Sequence, residues 1–101
     1  MSRPARIGAA AALARLPGWN AVEGRDAIHR TFEFDEFNAA FGFMTRVAMM
    51  AETMQHHPEW SNLYGEVSVT LATHEVEGVT ERDVIMASFM DQCARSSGAK
   101  S

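Results

Sequence analysis

Three of the four histidines in this 101-residue chain, His56, His57 and His74, lie in one short stretch of sequence. Imidazole is the only side chain whose unperturbed pKa, about 6.5, lets it both donate and accept a proton near neutral pH. Three such rings that converge on one pocket could transfer protons at two points of one substrate. The cluster therefore predicts general acid–base catalysis that needs no cofactor.

Two other chemistries fit the same residues less well. His56 and His57 are adjacent, so they lack the four-residue spacing with which two histidines of one helix bind zinc, and we expect no metal site. The single cysteine, Cys93, is remote from the histidines, and no serine lies in a nucleophile-elbow sequence. The fourth histidine, His29, falls in a predicted strand next to Arg30 and is expected to be an exposed or cross-strand polar residue.

The histidines belong to a longer ordered motif. In this sequence the motif reads Glu52, His56-His57-Pro58, Trp60, Tyr64, Thr73-His74, Gly78 and Asp83. Three further segments, GWNAVEGRDAI, FNAAFGFMTRVA and ERDVIMASF, extend it to roughly residues 16–93. Together they resemble the pterin-4a-carbinolamine dehydratases, a family also described as the dimerisation cofactor of a hepatocyte nuclear factor. Gln55 is a departure, since some relatives carry an ionisable residue there that could tune His56.

The resemblance implies a reaction. It is the dehydration of 4a-hydroxytetrahydrobiopterin, the 4a-carbinolamine, to quinonoid dihydropterin and water in tetrahydrobiopterin recycling, which would make the protein a hydro-lyase. His57 and His74 are expected to protonate the leaving hydroxyl, and His56 to take or relay the proton of ring nitrogen N5, with Glu52 orienting or tuning His56. The implied substrate-binding residues are His56, His57, Pro58, Thr73, His74, Glu75, Val76, Trp19 and Asp83.

A different class of function is the alternative. Some relatives act as protein-interaction modules, as a dimerisation cofactor or transcriptional coactivator, and the resemblance therefore also implies a possible transcription-factor partner. An aromatic amino-acid hydroxylase is the other implied protein partner, because such enzymes generate the pterin substrate. A pure scaffold has no need of the histidine cluster, and the intact motif disfavours a catalytically silent relative.

The composition indicates which partners and which cellular compartment are expected. Nine Lys and Arg residues stand against thirteen Asp and Glu, a net charge of −4, so direct nucleic-acid binding through a phosphate-neutralising patch is not expected. One cysteine cannot form an intrachain disulfide, and no apolar run is long enough to cross a membrane, which favours a cytoplasmic protein. The arginines of the first fifteen residues are also compatible with a targeting peptide, which remains an alternative. A short alanine-rich helix that ends at Pro17-Gly18 is the favoured interpretation.

Hydrophobic periodicity predicts the order helix, strand, strand, helix, strand, helix in a single domain over residues 1–101. This is an α+β fold, an antiparallel sheet covered on one face by helices, and the resemblance adds a fourth strand. The three predicted strands run over about 19–22, 28–34 and 66–74. Trp60 and Tyr64 are expected as core aromatics in a connection.

The predicted helix over about residues 36–55 carries the widest apolar surface. Its apolar residues cover an arc of about 200°, whereas a helix on the outside of a monomer usually shows a stripe nearer 100°. One side is expected to pack on the sheet and the other to meet another copy of the chain. The sequence thus predicts a homo-oligomer, a dimer or tetramer, and the resemblance agrees.

The helix ends are predicted from capping residues. Asp35 is expected to cap the helix over 36–55, and Pro58 to end it at about His56, where Glu52 lies on the same side. Thr80 and Asp83 have the spacing of a capping box that opens the last helix. The residues of that helix expected to face inward are Ile85, Met86, Phe89, Met90 and Cys93.

Overall fold

The computed structural model describes residues 3–100, which form three helices and a four-stranded sheet. The elements in chain order are α1 (Ala9–Leu13), β1 (Asn20–Val22), β2 (Arg25–Glu33), α2 (Phe37–Met54), β3 (Glu59–Leu63), β4 (Glu66–Leu71), a 3-10 turn (His74–Val76) and α3 (Glu81–Ser96). The strand order is β1-β2-β4-β3, and all neighbouring strands are antiparallel. The predicted α+β fold with a four-stranded antiparallel sheet is confirmed.

The sheet has one apolar face and one polar face. Phe32 lies opposite Val67 and Ile28 opposite Leu71, and all four side chains are buried beneath the helices. The Phe32 ring packs against Phe43 of α2 with 4.9 Å between ring centroids. On the other face the side chains of β2 and β4 are polar, as strand alternation requires. This packing holds the ends of α2 and β4 in place, and those ends carry the histidines.

The start of α2 differs from the prediction. Glu36, in an extended conformation, occupies the N-cap position and makes no capping hydrogen bond through its side chain. Asp35 precedes the cap, is exposed, and lies 3.5 Å from the Lys100 ammonium. The prediction that Asp35 caps α2 is therefore wrong, because the helix begins one residue too late for it.

The end of α2 also comes early. Gln55 adopts a left-handed conformation with φ of 56°, and the helix stops at Met54 rather than at His56. The His56 amide donates to the Ala51 carbonyl and the Gln55 amide to the Glu52 carbonyl, the two bonds of a Schellman motif. Gln55 therefore ends the helix two residues before His57, the residue whose conformation Pro58 restricts. His56 and His57 therefore leave the helix in new directions.

The segment predicted as a connection after Pro58 is strand β3. Trp60 lies opposite Val69 and packs against the core, but Tyr64 is exposed, so the prediction that it is a core aromatic is wrong. The sequence did not predict this strand because its polar and apolar residues do not alternate as usual: Asn62 is partly buried whereas Leu63 is exposed. The Asn62 amide is satisfied by donating to the carbonyls of Tyr64 and Glu66, each at 2.9 Å.

Strand β4 ends three residues before the predicted limit. Thr73 forms a backbone bridge with Gly78, and the intervening chain makes the 3-10 turn on which His74 lies.

In α3 the buried positions centre on Asp83, Ala87 and Met90, and Ile85 points the opposite way with 47% of its surface exposed. The prediction that Ile85 faces inward is wrong, since it lies about 180° from that centre at 100° per residue.

The N-terminal segment does form a short helix. Leu16 is buried and Leu13 packs against the core, although α1 ends at Leu13, before the predicted limit at Pro17. No helix within residues 3–100 combines the length and the apolar composition that a membrane span requires.

We predict that Met86→Ala lowers the free energy of unfolding by about 2 to 5 kcal/mol, because it leaves a cavity beneath α3 where Met86 is fully buried. The adjacent Ile85→Ala is the matched control and should change it by at most about 0.5 kcal/mol. Urea unfolding followed by circular dichroism measures both. Equal losses for the two variants would contradict the assigned orientation of α3.

Candidate active site

One buried carboxylate, that of Asp83, joins the three segments that carry the predicted site residues. Its Oδ1 lies 2.6 Å from Nε2 of His56, at the exit of α2. Its Oδ2 accepts hydrogen bonds from the Thr73 hydroxyl at 2.8 Å and from the Thr80 amide at 2.9 Å. The bond to Thr80 belongs to the predicted capping box, which the structure confirms. The site is thus fixed to the first turn of α3.

His56 is a buried member of the cluster. Only 7% of its side chain is exposed, and its Nε2 is held by Asp83. Its Nδ1 makes no hydrogen bond within residues 3–100, and no fully buried side-chain nitrogen there lacks a partner, so Nδ1 reaches solvent. His56 therefore presents one ring nitrogen for proton transfer.

Glu52 contacts a different histidine from the one predicted. Its Oε1 lies 3.0 Å from Nε2 of His57, and both side chains are largely exposed. The prediction that Glu52 pairs with His56 is wrong, because the left-handed turn at Gln55 takes His56 out of the helical register. His57, the next residue, takes that place beside Glu52.

His74 lies on the 3-10 turn with 77% of its side chain exposed. Its Nε2 is 3.7 Å from Oε2 of Glu59, the first residue of β3. His74 therefore lies outside strand β4, which was predicted to include it, because the strand ends at Leu71 and the chain continues as a 3-10 turn.

Glu59 and Arg25 were not predicted as site residues. Arg25 donates through both terminal nitrogens of its guanidinium to the Glu59 carboxylate, at 2.8 Å for Nη1 to Oε1. This hydrogen bonding holds the pKa of the Glu59 carboxyl below its usual range, and His74 makes a smaller contribution in the same direction. The two residues are 34 positions apart, so no local spacing could have found them.

Each of the three histidines thus has a carboxylate of its own. The pairs are His56 with Asp83, His57 with Glu52, and His74 with Glu59, at 2.6, 3.0 and 3.7 Å respectively. The first pair is buried and the other two are open to solvent, so a substrate would meet His57 and His74 directly.

A cavity of about 300 Å³ adjoins His74. Its lining residues are Arg25, Asp26, Ala72, Thr73, His74 and Glu77. Its volume is at the lower end of the range for small-molecule sites. His56 and His57 do not line it, so the predicted convergence of three imidazoles on one pocket is not what the structure contains.

The other predicted binding residues fall into two groups. Pro58 is half-buried beside the histidine pair, the Glu75 carboxylate accepts from Arg82 at 2.8 Å, and the Val76 carbonyl accepts from Arg6 at 3.2 Å. These three residues lie on the two segments that carry the histidines.

Trp19 lies elsewhere, in the hydrophobic core. Its ring is 6.0 Å from that of Phe32, and its Nε1 donates to Asp91 at 2.9 Å, as does Arg30 at 2.9 Å. Burial raises the pKa of the Asp91 carboxyl, while these donors oppose the shift. Trp19 does not line the cavity beside His74, and the structure does not bring it to the histidines.

Within residues 3–100, no group of three or more His, Cys, Asp or Glu side chains is placed to hold a metal ion. The three site histidines are instead each paired with one carboxylate.

A family model described as pterin 4 alpha carbinolamine dehydratase matches residues 5–93. The chain belongs to this family. Residues predicted for the site, from Trp19 to Asp83, all fall within the matched span. A crystal structure of a transcriptional coactivator/pterin dehydratase from Brucella melitensis is similar to this chain, with 53% sequence identity and a TM-score of 0.82. The similarity covers 84% of this chain and 90% of that one.

We predict that Asp83→Ala lowers the free energy of unfolding by about 3 to 5 kcal/mol, because it leaves His56, Thr73 and the Thr80 amide without their buried partner. Urea unfolding at neutral pH measures the loss. Glu81→Ala is the control, since it removes another acid of the same helical turn whose partner, Arg15, is exposed, and it should change stability little. Similar stabilities for wild type and Asp83→Ala would show that the carboxylate does not join these segments.

Proposed function

We propose that this protein dehydrates 4a-hydroxytetrahydrobiopterin to quinonoid dihydropterin and water, as a cytoplasmic hydro-lyase in tetrahydrobiopterin recycling. The observation that carries the proposal is the pairing of two exposed histidines, His57 and His74, with carboxylates, beside the third pair, the buried His56–Asp83. Membership of the dehydratase family supports the choice of substrate. An aromatic amino-acid hydroxylase would supply that substrate.

The reaction breaks the bond between carbon 4a and its hydroxyl oxygen. An imidazolium donates a proton to the hydroxyl, which leaves as water, and a base removes the proton of N5 while the double bond between N5 and carbon 4a forms. Afterwards the base releases the N5 proton to solvent and the acid regains a proton from solvent. Both groups are restored, so no oxidant or reductant is required. Each positioned acid or base contributes about 10²- to 10⁴-fold.

We assign the acid role to His57 and His74, since both are exposed to a substrate and each ring lies within 4 Å of a carboxylate that can orient it. His56 is the group that takes or relays the N5 proton through Nδ1, because Asp83 occupies its other nitrogen. Glu52 acts on His57 in this assignment.

The cavity beside His74 is the proposed site for the edge of the pterin ring. The backbone of residues 73–76 borders it on one side, and Thr73 is fixed there by hydrogen bonds to Asp83 and Gly78. Asp26 and Glu77 add carboxylates to the lining, which suit the amino and ring N–H groups of a pterin. Pro58 flanks the same region from the histidine pair.

We predict that His57→Ala and His74→Ala each lower kcat/KM for dehydration by about 10²- to 10⁴-fold. The substrate is generated in place by a hydroxylase, and its disappearance is followed by absorbance against a reaction without this protein. His29→Ala is the matched control, since His29 lies on β2, is separated from Glu59 by strand β4, and does not line the cavity beside His74. Its kcat/KM should equal that of wild type.

Two results would contradict this proposal. Equal and mild losses for the His56, His57 and His74 alanine variants would contradict the division of roles. No acceleration by folded wild-type protein would contradict the dehydratase reaction itself.

A second function, protein interaction, is favoured by the outer side of α2. Phe37, Phe41 and Met49 are each more than half exposed, and the two phenylalanine rings stack with 5.6 Å between centroids. Apolar side chains grouped on one helix face are typical of interfaces. We propose that this face joins copies of the chain into a dimer or tetramer, and that it could receive a transcription-factor partner, as the name of the Brucella neighbour suggests for that protein.

We predict that Phe41→Asp shifts the protein to a smaller species in analytical ultracentrifugation, because it places a charge in the centre of the apolar face. Asn20→Asp adds the same charge at an exposed polar position of β1, outside α2, and should leave the sedimentation coefficient unchanged. A single species of monomer mass for the wild-type protein at micromolar concentration would refute self-association through α2.

A further inference from the structure

The geometry points to Glu59, held by Arg25, as a positioning residue that fixes the imidazole of His74. This inference rests on the proposed function, in which His74 is an acid. Neither Glu59 nor Arg25 is among the residues that the sequence predicted for the site.

The Glu59 carboxylate is fixed in space on two sides. Its backbone is paired in the sheet, where Glu59 lies opposite Thr70 of β4. Its two oxygens are each bound by one terminal nitrogen of Arg25, the first residue of β2. A bidentate guanidinium pair fixes the plane of a carboxylate as well as its position. Glu59 is therefore far more constrained than an ordinary exposed glutamate.

His74 has no comparable anchor of its own. Its ring is mostly exposed, and the 3-10 turn that carries it is only three residues long. Within residues 3–100, Glu59 is the one carboxylate within 4.0 Å of a His74 ring nitrogen. Ordering a free side chain has an entropic cost, so a fixed partner that is already in place favours one ring orientation.

The charge of Glu59 also persists wherever histidine titrates. Hydrogen bonds from Arg25 hold the pKa of the Glu59 carboxyl below its usual range. Besides His74, the charged groups that line the cavity beside it are Arg25, Asp26 and Glu77.

A purely structural role predicts different results. On that account the Arg25–Glu59 pair only ties β2 to β3 across the end of β4, and its loss would affect stability but not His74. The two accounts separate in a double-mutant cycle, because a residue that acts through His74 has no further effect once His74 is removed.

The test combines kinetics with NMR on the full-length protein. Glu59→Gln should lower kcat/KM for dehydration about three- to tenfold in the wild-type background and should cause no further loss in the His74→Ala background. The His74 χ1 populations, from three-bond couplings to Cγ, should spread from one dominant rotamer to several in Glu59→Gln. Arg25→Met should have the same effect on the rotamers, since it frees the Glu59 side chain.

Glu81→Gln is the matched control. Glu81 forms an equivalent bidentate pair with Arg15, at 2.9 Å for both hydrogen bonds, but has no histidine beside it. It should change neither kcat/KM nor the His74 rotamers.

Wild-type kinetics in Glu59→Gln, losses that multiply in the double variant, or unchanged rotamers would each overturn the inference while leaving the dehydratase proposal standing. If the wild-type protein does not accelerate dehydration, the dehydratase proposal fails, and the rotamer populations alone decide whether Glu59 positions His74.

Discussion

The buried carboxylate of Asp83 is the interaction on which the site depends. A carboxylate that is fully removed from water is costly unless its oxygens are satisfied, and here three donors from three separate segments satisfy them. The same residue completes the capping box of α3. The same carboxylate therefore stabilises the start of α3 and fixes the position of His56.

From that centre the histidine–carboxylate distances become progressively longer, and the two outer pairs are exposed. The His56 pair is dry and short, and the His57 and His74 pairs are open to solvent. An imidazole in a dry, fixed pair is constrained in orientation, whereas an exposed one can meet a substrate. The arrangement offers a rigid inner group and two outer groups whose own partners restrict them, which is a physical basis for different roles among chemically identical side chains.

Much of this could be predicted from the sequence, and the failures have specific causes. Thr80 and Asp83 interact over three residues, so their capping box was visible, but the contact of Asp83 with His56 spans 27 positions and depends on the completed fold. The Glu52 partner was assigned wrongly because nothing in the residue type of Gln55 signals a left-handed backbone. Strand β3 was missed because Asn62 and Leu63 reverse the usual alternation of polar and apolar side chains.

The strand order has a consequence for synthesis on the ribosome. Strand β4 is the last of the four in the chain, and it is the strand that joins β3 to β2 and thereby to the rest of the sheet. A nascent chain that has emerged as far as β3 therefore lacks the strand that joins β2 to β3, and the apolar face of its sheet is incomplete. The core cannot close until β4 has followed, which makes the interval before β4 emerges the period when a chaperone would be of most use.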